Sequence, residues 1–131
     1  MVEPACPFCS PPGAEILAEN ALCYARNDAY PVNPGHLLIV PFRHIASFFA
    51  LSREERMAVL DLLDMCREIL DRDYHPDGYN VGVNIGEVAG QSVMHVHIHV
   101  IPRYAGDTPY PGGGVRHVIP GRGGYGRHNN P

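Results

Sequence analysis

Apolar positions along the chain follow two periods, and each period predicts a different element. "AEILAEN" and "ALCYARN", together Ala14 to Asn27, read as a hairpin of two short strands. "GHLLIVPF" (Gly35 to Phe42) is almost wholly apolar and reads as a third, largely buried strand. Between them "NDAYPVNPGH" collects turn residues. The period then changes. Ser52 with Glu55 three residues later forms a capping box, and Val59, Leu62, Leu63, Cys66, Ile69 and Leu70 recur at helical spacing. That predicts one amphipathic helix of about five turns. "HPDG" (His75 to Gly78) is a turn, after which "YNVGVNI" and Val93 to Ile101 alternate as strands.

From Ala105 the chain is mostly Gly, Pro and Arg, which predicts an irregular arm. The pattern therefore predicts a small α+β domain over residues 1–104, an antiparallel sheet with one long amphipathic helix on a face, followed by a C-terminal arm over 105–131. No internal repeat is visible. An edge strand of such a sheet must be covered or shared in a dimer.

Composition narrows the class. At 131 residues the chain fits one core. "MVEPACPFCSPPG" has neither a basic start nor an apolar run, and no stretch of about 18 apolar residues occurs; the expectation is a soluble, cytoplasmic protein with no membrane partner. Net charge is −4, yet residues 1–102 hold thirteen of the fourteen acids and six of the ten arginines. The tail is thus locally cationic, but with too few charges for a nucleic-acid stripe. Lysine is absent, so every fixed positive charge is a guanidinium.

Four cysteines in a chain of this type predict free thiols rather than a disulfide framework. Cys23 on a strand and Cys66 on the helix stripe are expected in the core. Cys6 and Cys9 form a Cys-x-x-Cys pair, which taken alone fits a redox pair, half a zinc site or chance.

"GQSVMHVHIHVIPRY" (Gly90 to Tyr104) carries the chemistry. On a strand, His95, His97 and His99 share one face while Met94, Val96, Ile98 and Val100 share the other. Same-face neighbours stand about 6.5–7 Å apart, close enough to surround one anion. Three imidazoles can also ligate zinc. The preceding "NIGEVAGQS" (Asn84 to Ser92) supplies carboxamides, a hydroxyl and a glycine-rich backbone that suit phosphate oxygens. A neutral imidazole beside them can attack phosphorus.

These residues resemble the histidine-triad (HIT) superfamily of nucleotide hydrolases and transferases. "HVHIHVI" matches its signature, "GQS" precedes it, and "PGHLLIVPFRHI" (Pro34 to Ile45) and "RND" (Arg26 to Asp28) stand in their expected places, a match running from about Cys6 to Arg103. The resemblance implies that His97 attacks the α-phosphate of a purine nucleotide, giving a nucleotidyl-histidine that water hydrolyses to the monophosphate. His97's other ring nitrogen would be held by a backbone carbonyl. His99 and His36 match positions that contact or polarise the phosphate region; Asn84, Gly90, Gln91 and Ser92 match the phosphate loop; Asp28 matches the ribose-binding residue. Arg26 departs from the family, where an aromatic or aliphatic residue borders the base.

Some branches bind structural zinc through an N-terminal cysteine pair, a histidine after the buried strand and the first triad histidine. Cys6, Cys9, His44 and His95 match those four. No catalytic metal is implied. Dinucleoside polyphosphates are the first expected substrates, with Arg103 adding positive charge near the site, and phosphoramidates such as adenylated lysine the second. A homodimer is implied as well. Two other classes stay open: a nucleotide-binding module or scaffold without turnover, and a zinc hydrolase using all three histidines as ligands. The tail is either solvated low-complexity chain or a flap bringing Arg116 or Arg122 to the leaving phosphate. His75, His117 and His128 are given no role.

Overall fold

Both periods become structure in the computed structural model of the chain, which describes residues 5–125. Strands β1 (Ala18–Glu19), β2 (Cys23–Asn27), β3 (Leu37–Pro41), β4 (Gly78–Val83) and β5 (Ile98–Arg103) form one antiparallel sheet in the order β1-β2-β3-β5-β4, and helix α1 (Arg53–Tyr74) is the single long helix among the described residues. The fold class is α+β, as expected.

Helix α1 begins where the sequence places it. The Ser52 hydroxyl accepts the Glu55 N–H at 3.0 Å and the Glu55 carboxylate accepts the Ser52 N–H at 2.9 Å. Its 22 residues make about six turns, one more than expected. Val59, Leu62, Cys66 and Leu70 pack on Cys23, Ala25, Leu37, Ile39, Val96, Ile98 and Val100; each large aliphatic side chain removed from water there contributes about 1.5–3 kcal/mol. Cys23 and Cys66 lie in this core as expected. Burial pushes their thiols up to about 12 and about 11, so both stay protonated.

The other face of the sheet is covered too. Phe8, Tyr24, Leu38 and Val40 form a second cluster with Cys6, Ile16, Phe42 and Val93 around it. Strand β3 therefore lies between two apolar layers, and all five of its residues are buried.

Two expected strands are shorter than their patterns. A 3-10 turn at Gly13–Glu15 follows Pro11 and Pro12 and leaves β1 only two residues. The alternating run from Val93 joins the ladder only at Ile98. Continuing the β3–β5 register would set Pro41 opposite Val96, and proline has no N–H for that rung. The Val96 N–H goes to the Ile45 carbonyl at 2.8 Å instead. Val96, Ile98 and Val100 are still buried, whereas Met94, expected beside them, is 37% exposed.

The described part of the arm folds back on itself around a 3-10 turn at Gly114–Val118. Arg116 donates to the Gly123 carbonyl at 3.0 Å and stacks on the Tyr125 ring, and a Cβ on Gly113 would stand 2.5 Å from the Gly123 oxygen. Glycine here permits close backbone approach. Residues 105–125 thus have local structure yet stay largely exposed to solvent; His128 lies outside the described residues. No helix among the described residues is long and apolar enough to cross a membrane.

Candidate active site and metal centre

The four residues matched to a metal site converge from three parts of the chain. His95 Nε2 donates to the Pro41 carbonyl at 2.7 Å, which leaves the lone pair on Nδ1. That nitrogen faces Cys6 Sγ at 3.4 Å and Cys9 Sγ at 3.6 Å, and Cys9 Sγ lies 3.1 Å from His44 Nδ1. All four ligand atoms fall within 4.8 Å of one another. A tetrahedral zinc with nitrogens at about 2.0–2.1 Å and sulfurs at about 2.3 Å has ligand edges of roughly 3.3–3.8 Å, close to these spacings. The Cys₂His₂ donor set fits that ion. Burial raises the Cys6 thiol, and a bound cation would reverse this.

The next histidine is turned the other way. His97 Nδ1 donates to the His95 carbonyl at 2.8 Å, so Nε2 holds the lone pair. Phe8, between the two cysteines, packs against it with ring centroids 5.0 Å apart. His97 and His99 line a cavity of about 480 Å³. Asn84, Gly90 and Ser92 line it beside them. Gly90 holds φ +98°, a conformation that favours glycine.

Gln91 is placed differently from its loop neighbours. It is buried, accepts the Gly86 N–H at 2.9 Å and donates to the Ala46 and Val93 carbonyls at 2.8 and 3.1 Å. Its amide holds the loop and does not line the cavity.

Asp28 lines the cavity, and behind it stands buried His36. Asp28 Oδ1 accepts the Tyr30 N–H at 2.8 Å, while Oδ2 lies 3.3 Å from His36 Nε2 and 3.7 Å from His99 Nδ1. His36 Nε2 is 3.0 Å from His99 Nδ1, and His36 Nδ1 accepts the Val32 N–H at 3.1 Å. Asp28, His36 and His99 thus also bring three potential ligand atoms together. A cation on His36 Nε2 would require the proton on Nδ1, where the Val32 N–H already points, so the cluster is better suited to protons than to metal. Burial lowers the pKa of both His36 and His99, with Asp28 opposing the shift.

Arg26, which also lines the cavity, is held by Glu15 at 2.8 Å and the Pro7 carbonyl at 3.1 Å, its guanidinium 5.5 Å from the Phe8 ring centroid. Phe8, Glu15 and Val32 were not singled out in the sequence. Phe8 was open to notice from its place inside the cysteine pair; Val32 acts through its backbone and leaves no side-chain signal. Arg103, expected to add charge near the site, is forked onto Asp107 at 2.7 and 2.8 Å with a third bond to Asn80. Neither Arg103, Arg116 nor Arg122 lines the cavity.

A sequence model of the HIT domain matches residues 13–106. The chain belongs to the HIT family. The matched span holds the triad, Asp28, His36 and His44, whereas Cys6 and Cys9 precede it. Among its relatives, an AP-4-A phosphorylase of Mycobacterium tuberculosis is 35% identical over 96 residues, covering 72% of this chain and 49% of that protein. An adenosine 5'-monophosphoramidase of Schizosaccharomyces pombe is 37% identical over 102 residues, covering 75% and 74%. The chain thus spans about half the length of the first of these relatives. A crystal structure of a Zn-bound histidine triad family protein from Mycobacterium smegmatis superposes with a TM-score of 0.71 at 27% identity, covering 79% of this chain and 78% of that one.

Proposed function

We propose that this HIT protein hydrolyses a purine nucleotide at its α-phosphorus, through a nucleotidyl intermediate on His97, and releases the nucleoside monophosphate. One observation carries the reading: His97 lines the cavity with its Nδ1 proton committed to the His95 carbonyl, leaving Nε2 as a nucleophile beside Asn84, Gly90 and Ser92. In the first step Nε2 bonds to phosphorus and the bond to the leaving group breaks. In the second, water attacks phosphorus and frees the imidazole. His99 assists at the phosphate, His36 acts on His99 from behind, and Asp28 meets the ribose hydroxyls. Gln91 serves the site by holding the loop that presents Gly90 and Ser92.

Dinucleoside polyphosphates are the first substrate class and nucleoside phosphoramidates the second; relatives named for each kind of activity support both. Zinc on Cys6, Cys9, His44 and His95 is structural, because four protein ligands close a tetrahedral shell. It would tie the N-terminal segment, and with it Phe8, to the sheet. Thiolate ligands and the protonated thiols of Cys23 and Cys66 suit the cytosol. The catalytic unit is residues 1–104, the arm follows from 105, and the assembly is a homodimer.

Monophosphate release from diadenosine polyphosphates and adenosine phosphoramidates, by the wild type and His97→Ala in parallel, is the direct test. Release should fall by about 10³-fold or more in the variant. Turnover by His97→Ala at the wild-type rate would remove His97 as nucleophile. Binding with no release from any substrate would make the site a ligand cradle.

A further inference from the structure

The contacts among Asp28, His36 and His99 fix where protons sit. Because His36 Nδ1 accepts the Val32 N–H, the neutral ring carries its proton on Nε2. That N–H faces His99 Nδ1 at 3.0 Å and Asp28 Oδ2 at 3.3 Å. In the neutral pair His99 Nδ1 therefore accepts, and its own proton is on Nε2, which has no hydrogen-bond partner among the described residues.

A second proton on this pair meets a conflict at both rings. On His36 it would occupy Nδ1, against the Val32 N–H. On His99 it would occupy Nδ1, head-on to the His36 Nε2–H at 3.0 Å. Asp28 Oδ2 is the one carboxylate oxygen near both nitrogens among the described residues, at 3.3 and 3.7 Å. A carboxylate oxygen has two lone pairs and can accept from both. Its direction is set by the Tyr30 N–H on Oδ1. The charged or titratable groups facing the pair are Asp28 from the segment after β2 and His97 before β5; only Asp28 favours an added proton.

We propose that Asp28 is the positioning residue that lets His99 carry a second proton, which His99 passes from Nε2 to the leaving group. This rests on the hydrolase reading above. As His97 Nε2 bonds to phosphorus, the bond to the leaving group breaks with its electron pair on the leaving atom, which takes the Nε2 proton of His99. Neutral His99 then keeps its Nδ1 proton on Asp28 Oδ2, and the 3.7 Å gap of the resting pair closes to a hydrogen bond. Its vacant Nε2 accepts a proton from water as water attacks phosphorus. His97 is released and the His99 imidazolium restored.

The test has two readouts, one independent of turnover. Imidazole ¹⁵N NMR of the wild type without substrate should show His36 as the Nε2–H tautomer; the Nδ1–H tautomer would overturn the proposal. In Asp28→Asn, whose amide N–H groups would oppose both rings, the His99 pKa should drop by about one unit or more. An unchanged His99 titration in the folded variant also overturns it. In kinetics from about pH 5 to about 9, the alkaline limb of kcat should move down by the same shift and kcat at the alkaline end fall by about tenfold or more. A contact with ribose alone would change KM and leave that limb in place. Wild-type protein that shows the Asp28-dependent shift but releases no monophosphate would uphold the proton site and overturn the hydrolase reading.

Discussion

Glu55 is 5% exposed and still ionised, because its partners are aimed at it. Arg43 donates to both carboxylate oxygens, at 2.6 and 3.1 Å, and the Ser52 N–H adds a third bond at 2.9 Å. Arg43 foremost, with Ser52, holds the carboxyl down at about 2. The folded-state value lies below the unfolded one, so the stabilisation is fully present above the unfolded pKa of about 4.3 and lost as pH falls towards 2. The Arg43 side chain is 47% exposed, so solvent screens the pair and Glu55→Gln should cost about 1–2 kcal/mol at neutral pH. Thermal melts of both proteins from about pH 7 down to 2 should converge as the wild type loses this term; a constant gap would refute the assignment. The capping box was legible because Ser52 and Glu55 are three residues apart. The Arg43 bond was not, since a partner twelve residues upstream on a loop leaves no local pattern. Asp28 and His36 were likewise legible as residues but not as a pair, because the Val32 N–H that fixes their protons belongs to the backbone.

Strands and helix followed from period, and the mismatches have local causes. Alternation through His95 and His97 reflects which side of the sheet each residue meets, which continues after the ladder has stopped at Ile98, short of the rung where Pro41 would face Val96. Periodicity reports burial; only hydrogen bonding defines the strand. The N-terminal segment has no period at all. What orders it is the Phe8 cluster together with Cys6 and Cys9 facing His44 and His95. Metal removal therefore has a predicted signature. The purified protein should hold about one zinc per chain, and its removal should cost about 3–5 kcal/mol, lowering Tm by roughly 10–20 °C. Turnover should fall in parallel, since Phe8 packs on His97. Chelation that abolishes turnover with Tm unchanged would favour a catalytic metal instead. If neither changes, the four residues hold no metal.

At the scale of the molecule, the two sheet edges are treated differently. β1 is two residues long and ends in Glu19, so brevity and charge blunt it. β4, the other edge, runs six residues as "GYNVGV" with no charge and no proline, none of the devices that keep edges apart. Val81 is 43% exposed there, and Val115, Val118 and Ile119 of the arm, which contacts β4, are 61%, 76% and 57% exposed. A second copy placing its own β4 alongside would satisfy the free backbone groups and cover this apolar surface by two-fold symmetry. The protein should therefore run at twice its 14.4 kDa chain mass in light scattering. Val81→Lys should shift it to the single-chain mass and make Tm independent of protein concentration. Asp28, Asn84, Gly90, Ser92, His97 and His99 already meet around the cavity within a single chain, so monomeric Val81→Lys should still bind nucleotide. Its turnover separates two roles for the interface. Unchanged kcat would make pairing a matter of stability alone. A large fall with binding intact would mean that pairing holds the end of β4, next to Asn84, in its place beside the phosphate. A wild type already monomeric at micromolar concentration would show that the arm alone suffices to protect the edge.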